Sequence, residues 1–314
     1  MTLLHTIGLK TLQRLKDHPL RITRRINDDP IPCTITGPSG GLFTVSLPGF
    51  DPTVDLDGNP RAIFPGSVVR IQGGASNGYY LVSGINPSAG STPGSISIDS
   101  SQGGIAAQTY GFVTFFDFDF DLIVDLCRIA RSHLETYADQ SFSGIKPFTE
   151  YREGSGTITL ILRRRRIRTI DEMNIYAAMP AFNQKFGITP SDIDLSEAQN
   201  SGILRITPQA ASSSVMLSYN FISERYFPKA KIQVVGTYGW DESEIPSLIP
   251  EVMQAIEYYA AALILTEEMS RSDNMNSFTR EGYSQSNDVG RDIEAYKGLA
   301  YALITPFTSG EAGS

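Results

Sequence analysis

The stretch from Lys229 to Ser270, KAKIQVVGTYGWDESEIPSLIPEVMQAIEYYAAALILTEEMS, constrains the fold more than any other part of the chain. Ile232, Val234 and Val235 form a β-branched run that stops at Gly236, and Gly239-Trp240-Asp241 reads as a turn. A strand therefore ends here and the chain reverses. A helix is predicted next: Ser247 precedes Leu248, Pro250 suits a first helical turn because its missing N–H costs nothing there, and Glu251 favours the positive end of the helix dipole. Val252, Ile256, Tyr259, Leu263 and Met269 mark one apolar stripe at helical spacing, flanked by Ala255, Ala260, Ala261 and Ala262, small enough to let another helix approach.

The chain has 314 residues, enough to bury a substantial core in one large domain or two ordinary ones. No apolar run reaches transmembrane length, and the basic N-terminal stretch has neither a continuous apolar segment nor a small-residue cleavage site, so neither membrane insertion nor export is expected. Cys33 and Cys127 lie far apart in segments of different type, which points to folding in a reducing compartment. The formal charge of −8 argues against a general nucleic-acid binder. The charge is uneven. Residues 1–25 carry Lys10, Arg14, Lys16, Arg21, Arg24 and Arg25 against Asp17, a net +5 that leaves −13 for the rest.

In chain order, Leu3 to Ile26 predicts a short amphipathic helix on Leu9, Leu12 and Leu15, broken at Pro19. It is either an arm that docks on a partner or on nucleic acid, or a solvated terminal helix. From Asp28 to Tyr110 short β-type runs alternate with turn clusters; Leu42–Leu47, Ser67–Ile71, Tyr79–Ile85 and Ser95–Ile98 read as strands of a small barrel or sandwich. Gly37-Pro38-Ser39-Gly40-Gly41 matches the letters of a nucleophile elbow. The following residues, LFTVSL, predict a strand where a helix is required, and the only downstream histidine is His133. Asp55-Leu56-Asp57-Gly58-Asn59 resembles part of a calcium loop without its closing Glu and reads as a turn. Asp117, Asp119 and Asp121 alternate with aromatics at a strand end leading into a helix, the preferred reading over a cation site. That helix is predicted over Phe120–Ala138, burying Ile123, Leu126, Ile129, Ala130, Leu134 and Tyr137.

Thr157 to Ile170 predicts an unusual strand: Ile158, Leu160 and Leu162 share one face, and then Arg163, Arg164, Arg165, Arg166 and Arg168 put charge on both faces. Such an end either projects into solvent beside acids such as Asp171 and Glu172, or faces phosphate or another subunit. Further strands are expected at Gly202–Thr207 and Val215–Tyr219, then a helix over Asp288–Ile304 and a Gly- and Ser-rich tail from Pro306. No pattern for a metal, nucleotide or other cofactor stands out, and a non-catalytic chain is expected.

The order of DLIVDLCRIARSHLETYADQSF, SGTITLILRRRRIRTI, FPKAKIQVVGTYGW, IPSLIPEVMQAIEYYAAALIL and a final helix resembles the head-to-tail connector adaptors of tailed bacteriophages. The resemblance covers about Phe115 to Pro306, and its most specific part is Gly236 to Trp240 followed by Ile245-Pro246. It implies an α+β fold, a small helical bundle with a β-hairpin and strand module, here preceded by an extra small all-β barrel or sandwich. The expected organisation is a basic arm over 1–27, a β-rich module over 28–113, the adaptor-like core over 114–306 and a flexible tail over 307–314. The resemblance further implies a structural virion protein of the neck, assembled in the host cytoplasm. It would form a homo-oligomeric ring of twelve copies on the portal protein, with a tail terminator, stopper or other neck protein beyond. Packaged DNA would pass through the ring without sequence-specific binding. Arg163, Arg164, Arg165, Arg166 and Arg168 are then expected at the subunit interface or the channel, and Ile293, Tyr296, Ala300, Leu303, Ile304 and Phe307 at a portal-docking segment. Competing readings are another tail-completion or baseplate protein, or a β-rich enzyme acting on carbohydrate or peptide, for which Asp117, Asp119 and Asp121 are the densest carboxylates.

Overall fold

The structure is a computed structural model that describes residues 2–15, 24–27, 29–55, 57–117, 120–154, 157–176, 185–188, 193–206, 231–271, 279–280, 283–284 and 289–308. The strand expected at Val215–Tyr219, Pro19, Asp119 and the tail beyond Thr308 lie outside them. Within the described residues the helices are α1 (Leu3–Leu15), α2 (Phe120–Ala138), α3 (Ala198–Ser201), α4 (Ile245–Leu248), α5 (Pro250–Arg271) and α6 (Val289–Ile304). The strands occur in two runs of the chain, before and after α2. The first is β1 (Arg24–Arg25), β2 (Ile31–Ser39), β3 (Leu42–Leu47), β4 (Val68–Gln72), β5 (Gly78–Leu81), β6 (Gly84–Asn86), β7 (Gly94–Asp99) and β8 (Gln108–Asp117). The second is β9 (Lys146–Glu153), β10 (Thr159–Ile161), β11 (Ile167–Tyr176), β12 (Lys185–Ile188), β13 (Ile193–Asp194), β14 (Ile203–Ile206), β15 (Lys231–Tyr238), β16 (Thr279–Arg280) and β17 (Tyr283–Ser284). Among the described residues every strand pairing is antiparallel, and with both helices and sheets present the fold class is α+β.

The chain divides into two compact units, one of residues 1–130 and 254–300 and the other of residues 131–253 and 301–314. In the first, the strand order β5-β4-β8-β2-β3-β7-β6 begins and ends on neighbouring pieces of chain. Val82 donates its N–H to Ser67 O and Ser83 donates to Ser97 O, so residues 78–86 pair with one flank and then the other. The sheet thereby closes on itself as a small barrel. Alternate residues point inward, and Ile35, Val45, Leu47, Ile71, Ile98 and Phe115 fill the interior.

Helix α1 belongs to this unit as a packed element. The arm and solvated-helix readings both fail for Leu3–Leu15, because Leu4, Ile7, Leu9, Leu12 and Leu15 are buried. A Cβ on Gly8 would stand 3.1 Å from both Ile123 and Phe120, so a glycine there lets α1 lie close against α2. Two of the basic residues that looked available for a partner meet a buried carboxylate: Arg14 donates through Nε to Glu257 Oε2 at 2.9 Å, with Lys10 Nζ 3.9 Å from Oε1. Arg14 also stacks over the Tyr258 ring.

Helix α2 has the expected limits, and three of the six residues expected on its inner face, Ile123, Ala130 and Leu134, are buried. Ile123, Cys127, Ala130, Leu134 and Ala138 are buried, whereas Ile129 and Tyr137 are 46% and 49% exposed. The buried series follows the 3.6-residue period through small side chains that a search for large apolar residues passes over. Helix α5 differs in another way. It is buried on most sides from Val252 to Leu265, not along one stripe, with Leu263 half-buried and the Met269 side chain outside the described residues.

The second unit holds a four-stranded sheet, β12-β11-β15-β9, and a three-stranded sheet, β10-β14-β13. Ile232, Val234, Ile167, Met173, Leu160 and Leu204 are buried in its core. At Gly236 an added Cβ would lie 2.1 Å from the Thr169 carbonyl oxygen, beside the register shift in the β11–β15 ladder. Glycine there is a condition of strand pairing.

Candidate functional site

The arginine-rich segment is not one strand. Among the described residues the ladder breaks between Ile161 and Ile167, and Leu162–Arg166 form a connecting loop. Two features make the break. Leu162 N–H donates to Gly202 O, and Arg166 adopts a left-handed φ of 54°. Gly202 itself has φ 73°, and a Cβ there would meet Arg164 O at 2.4 Å.

Three of the five arginines turn towards acids of their own unit. Arg164 pairs with Asp139 and lies over the Tyr238 ring. Arg166 Nη2 stands 2.9 Å from Glu244 Oε1, and Arg168 holds the other oxygen while donating from Nε to Gly239 O. These three therefore meet acids within the chain, Asp139 and Glu244. Arg165 donates to the carbonyl of Pro306, and Arg163 is exposed.

Glu244 sits at the centre of this cluster. Besides the two arginines it accepts the Asp241 N–H at 3.0 Å, which ties it to the Gly239-Trp240-Asp241 turn. The Arg168 hydrogen bond, followed by the Asp241 N–H and Arg166, outweighs burial and holds its carboxyl down to about 2 from an ordinary 4.5. Because the folded value is the lower one, this contribution to stability is present above pH 4.5 and is lost as the pH falls towards 2. Glu244→Gln is expected to cost about 2 kcal/mol at pH 7 and to flatten the acid limb of stability against pH. Urea titrations between pH 2 and 7 check it, and parallel curves for the two proteins would refute it.

The turn leads into a short aromatic cluster. Trp240 is buried, its ring 5.4 Å from Phe142 and 6.3 Å from Phe307, and Phe142 lies 6.2 Å from Phe307. The expected portal-docking residues are thus divided. Ile293, Ala300 and Ile304 are buried within the chain, while Tyr296, Leu303 and Phe307 are half-buried. Burial at three of the six positions is packing within the chain.

The weighed motifs are local structure. Ser39 ends β2 and is followed by strand β3, not by a helix. Asp55 accepts the N–H groups of Asp57 and Asn59 and so closes its own turn. His133 lies on the outer side of α2. Sequence reasoning missed Gln140 and Glu150, which grip the arginine loop through its main chain; no spacing rule links them to it.

No family model and no curated protein matches the chain. Two solved structures superpose on part of it, each at 12% identity and covering 63% of this chain and 82% of their own. One belongs to the neck of an empty gene transfer agent particle with C6 symmetry, at a TM-score of 0.34; the other belongs to the virion of a native gene transfer agent particle, at 0.32.

Proposed function

We propose that the protein is a non-catalytic structural component of a phage-type virion, a connector adaptor that works as one copy in a closed ring between the portal and the next neck or tail protein. One observation carries this reading. The junction on which the sequence resemblance turns is built as a unit: β15 ends at Tyr238, Gly239 takes φ 117°, Trp240 is buried, and α4 and α5 follow at once. Gly239 has the space for this only as glycine, since a Cβ would stand 2.5 Å from Gly144 O. A ring subunit needs surfaces that fit its neighbours, and a channel for sliding DNA favours an acidic, non-adhesive wall, in keeping with the net charge of −8. The C-terminal end of α6 is assigned to the portal side, through the half-buried Leu303 and the Phe307 that follows it.

Light scattering on the purified protein, alone and mixed with portal rings, tests the reading. The expected result is a single ring-sized mass or a stoichiometric complex with the portal. A monomer that never joins portal rings would overturn it.

A further inference from the structure

The loop Leu162–Arg166 is held by its backbone. Arg163 N–H donates to Glu150 Oε1 at 2.8 Å, Gln140 Nε2 donates to Arg163 O at 3.0 Å, and Arg165 N–H donates to Gln140 Oε1 at 2.9 Å. Gln140 is 3% exposed, so one buried amide fixes residues 163 and 165 from a single point. With the main chain fixed, the side chains divide. Arg164 and Arg166 reach Asp139 and Glu244, whereas Arg163 and Arg165 form no ion pair among the described residues. Arg165 has one N–H on the Pro306 carbonyl and others to spare, and nothing bonds the Arg163 guanidinium among the described residues.

Two guanidinium groups held two residues apart and left without acids make a small preorganised cationic site. An exposed arginine on a mobile loop loses rotamer and backbone freedom when it binds; here the backbone share is already met by Gln140 and Glu150. We infer that Arg163 and Arg165 receive acidic side chains from the surface of a second copy of this chain, an inference that rests on the ring reading above. Charge complementarity favours that occupant. The chain carries 34 Asp and Glu against 26 Lys and Arg, so a neighbouring copy brings an excess of carboxylates, and a head-to-tail ring places one patch of each copy against a different patch of the next. Arg164, Arg166 and Arg168 are assigned instead to holding the subunit's own fold.

The test uses the full chain and three variants: Arg163→Glu, Arg163→Ala with Arg165→Ala, and Arg166→Ala with Arg168→Ala. Assembly is followed by light scattering against protein concentration at low and high salt, folding by thermal melting, and DNA binding with a labelled 20-base-pair duplex. The first two variants are expected to raise the concentration for half-assembly about tenfold and to lose most of the salt dependence of assembly; Arg163→Glu is expected to melt as the wild type does, and the double variant somewhat lower, because it also removes the Arg165 bond to Pro306 O. The third is expected to lower the melting temperature. Arg163→Glu removes no bond within the described residues, and its melting temperature separates a loss of assembly from any folding defect caused by a second carboxylate beside Glu150. Rings that form as in the wild type while duplex binding falls would overturn the inference in favour of DNA phosphate. Rings and duplex binding both unchanged would overturn it outright. A wild-type chain that forms no ring under any condition would remove the ring reading and this inference with it.

Discussion

Gly236→Ala is expected to lower the stability of the second unit by about 4 kcal/mol, and Gly236→Val by more. The new Cβ would stand 2.1 Å from Thr169 O, 3.0 Å from Thr169 C and 3.2 Å from Ile170 Cα. All three are backbone atoms of the paired strand, so no rotamer change relieves the clash; β11 and β15 must separate. They separate where their register already shifts, between Ile170 and Glu172, and Ile170 and Met173 are buried close by. Gly298 supplies the opposite sign. It lies within α6, and a Cβ there meets nothing within 4 Å. Gly298→Ala is expected to stabilise by about 0.5–1 kcal/mol, because the unfolded chain loses freedom and no contact is strained. Urea denaturation of both variants checks the pair, and a Gly236→Ala protein as stable as the wild type would show that the two strands part easily.

Phe142→Ala should cost about 3–5 kcal/mol, since a fully buried ring leaves a cavity that its neighbours fill only in part. Those neighbours are Trp240 and Phe307, and the contacts of the Phe142 ring with both, edge-on with Phe307, are lost with it. The consequence reaches further than stability. Phe307 closes the short 3-10 turn Thr305–Phe307, and Pro306 in that turn accepts from Arg165, so the end of α6 loosens together with the arginine loop. Trp240 is the chain's single tryptophan, which makes its fluorescence a direct reading of this site. A red-shifted emission with the loss of stability is the expected pair of results. Unshifted emission with a loss below about 1 kcal/mol would mean that Phe142 does not pack the indole.

Local rules served where a segment's environment depends on its own residues. The limits of α2, the start of α5 at Pro250 and the barrel strands Leu42–Leu47 and Gly94–Asp99 follow from periodicity, proline chemistry and turn residues. They failed where the environment is supplied from elsewhere in the chain. Nothing near Leu3–Leu15 announces Glu257, so a helix with basic residues between leucines read as an arm. Nothing in RRRRIR announces Asp139, Glu244, Gln140 or Gly202, which together turn a continuous strand into two strands and a loop. Part of the α2 face was misplaced for a related reason: Ile123, Ala130 and Leu134 are buried as expected, but Cys127 and Ala138 take the interior places given to the larger Ile129 and Tyr137. For α6 the stripe was correct as a pattern, and it marked the chain's own packing at Ile293, Ala300 and Ile304.

The pairing of Arg14 with Glu257 spans 243 residues, which gives the N-terminal helix a timetable. At a synthesis rate of about 5–20 residues per second, α1 leaves the ribosome about 12–50 s before its carboxylate partner exists. Throughout that wait Arg14 has neither Glu257 nor the Tyr258 ring to meet, while the barrel strands, all made within the first 117 residues, already have their partners. This helix is thus made well before its partner, and chaperones that capture short apolar helices at the ribosome have a long opportunity on it.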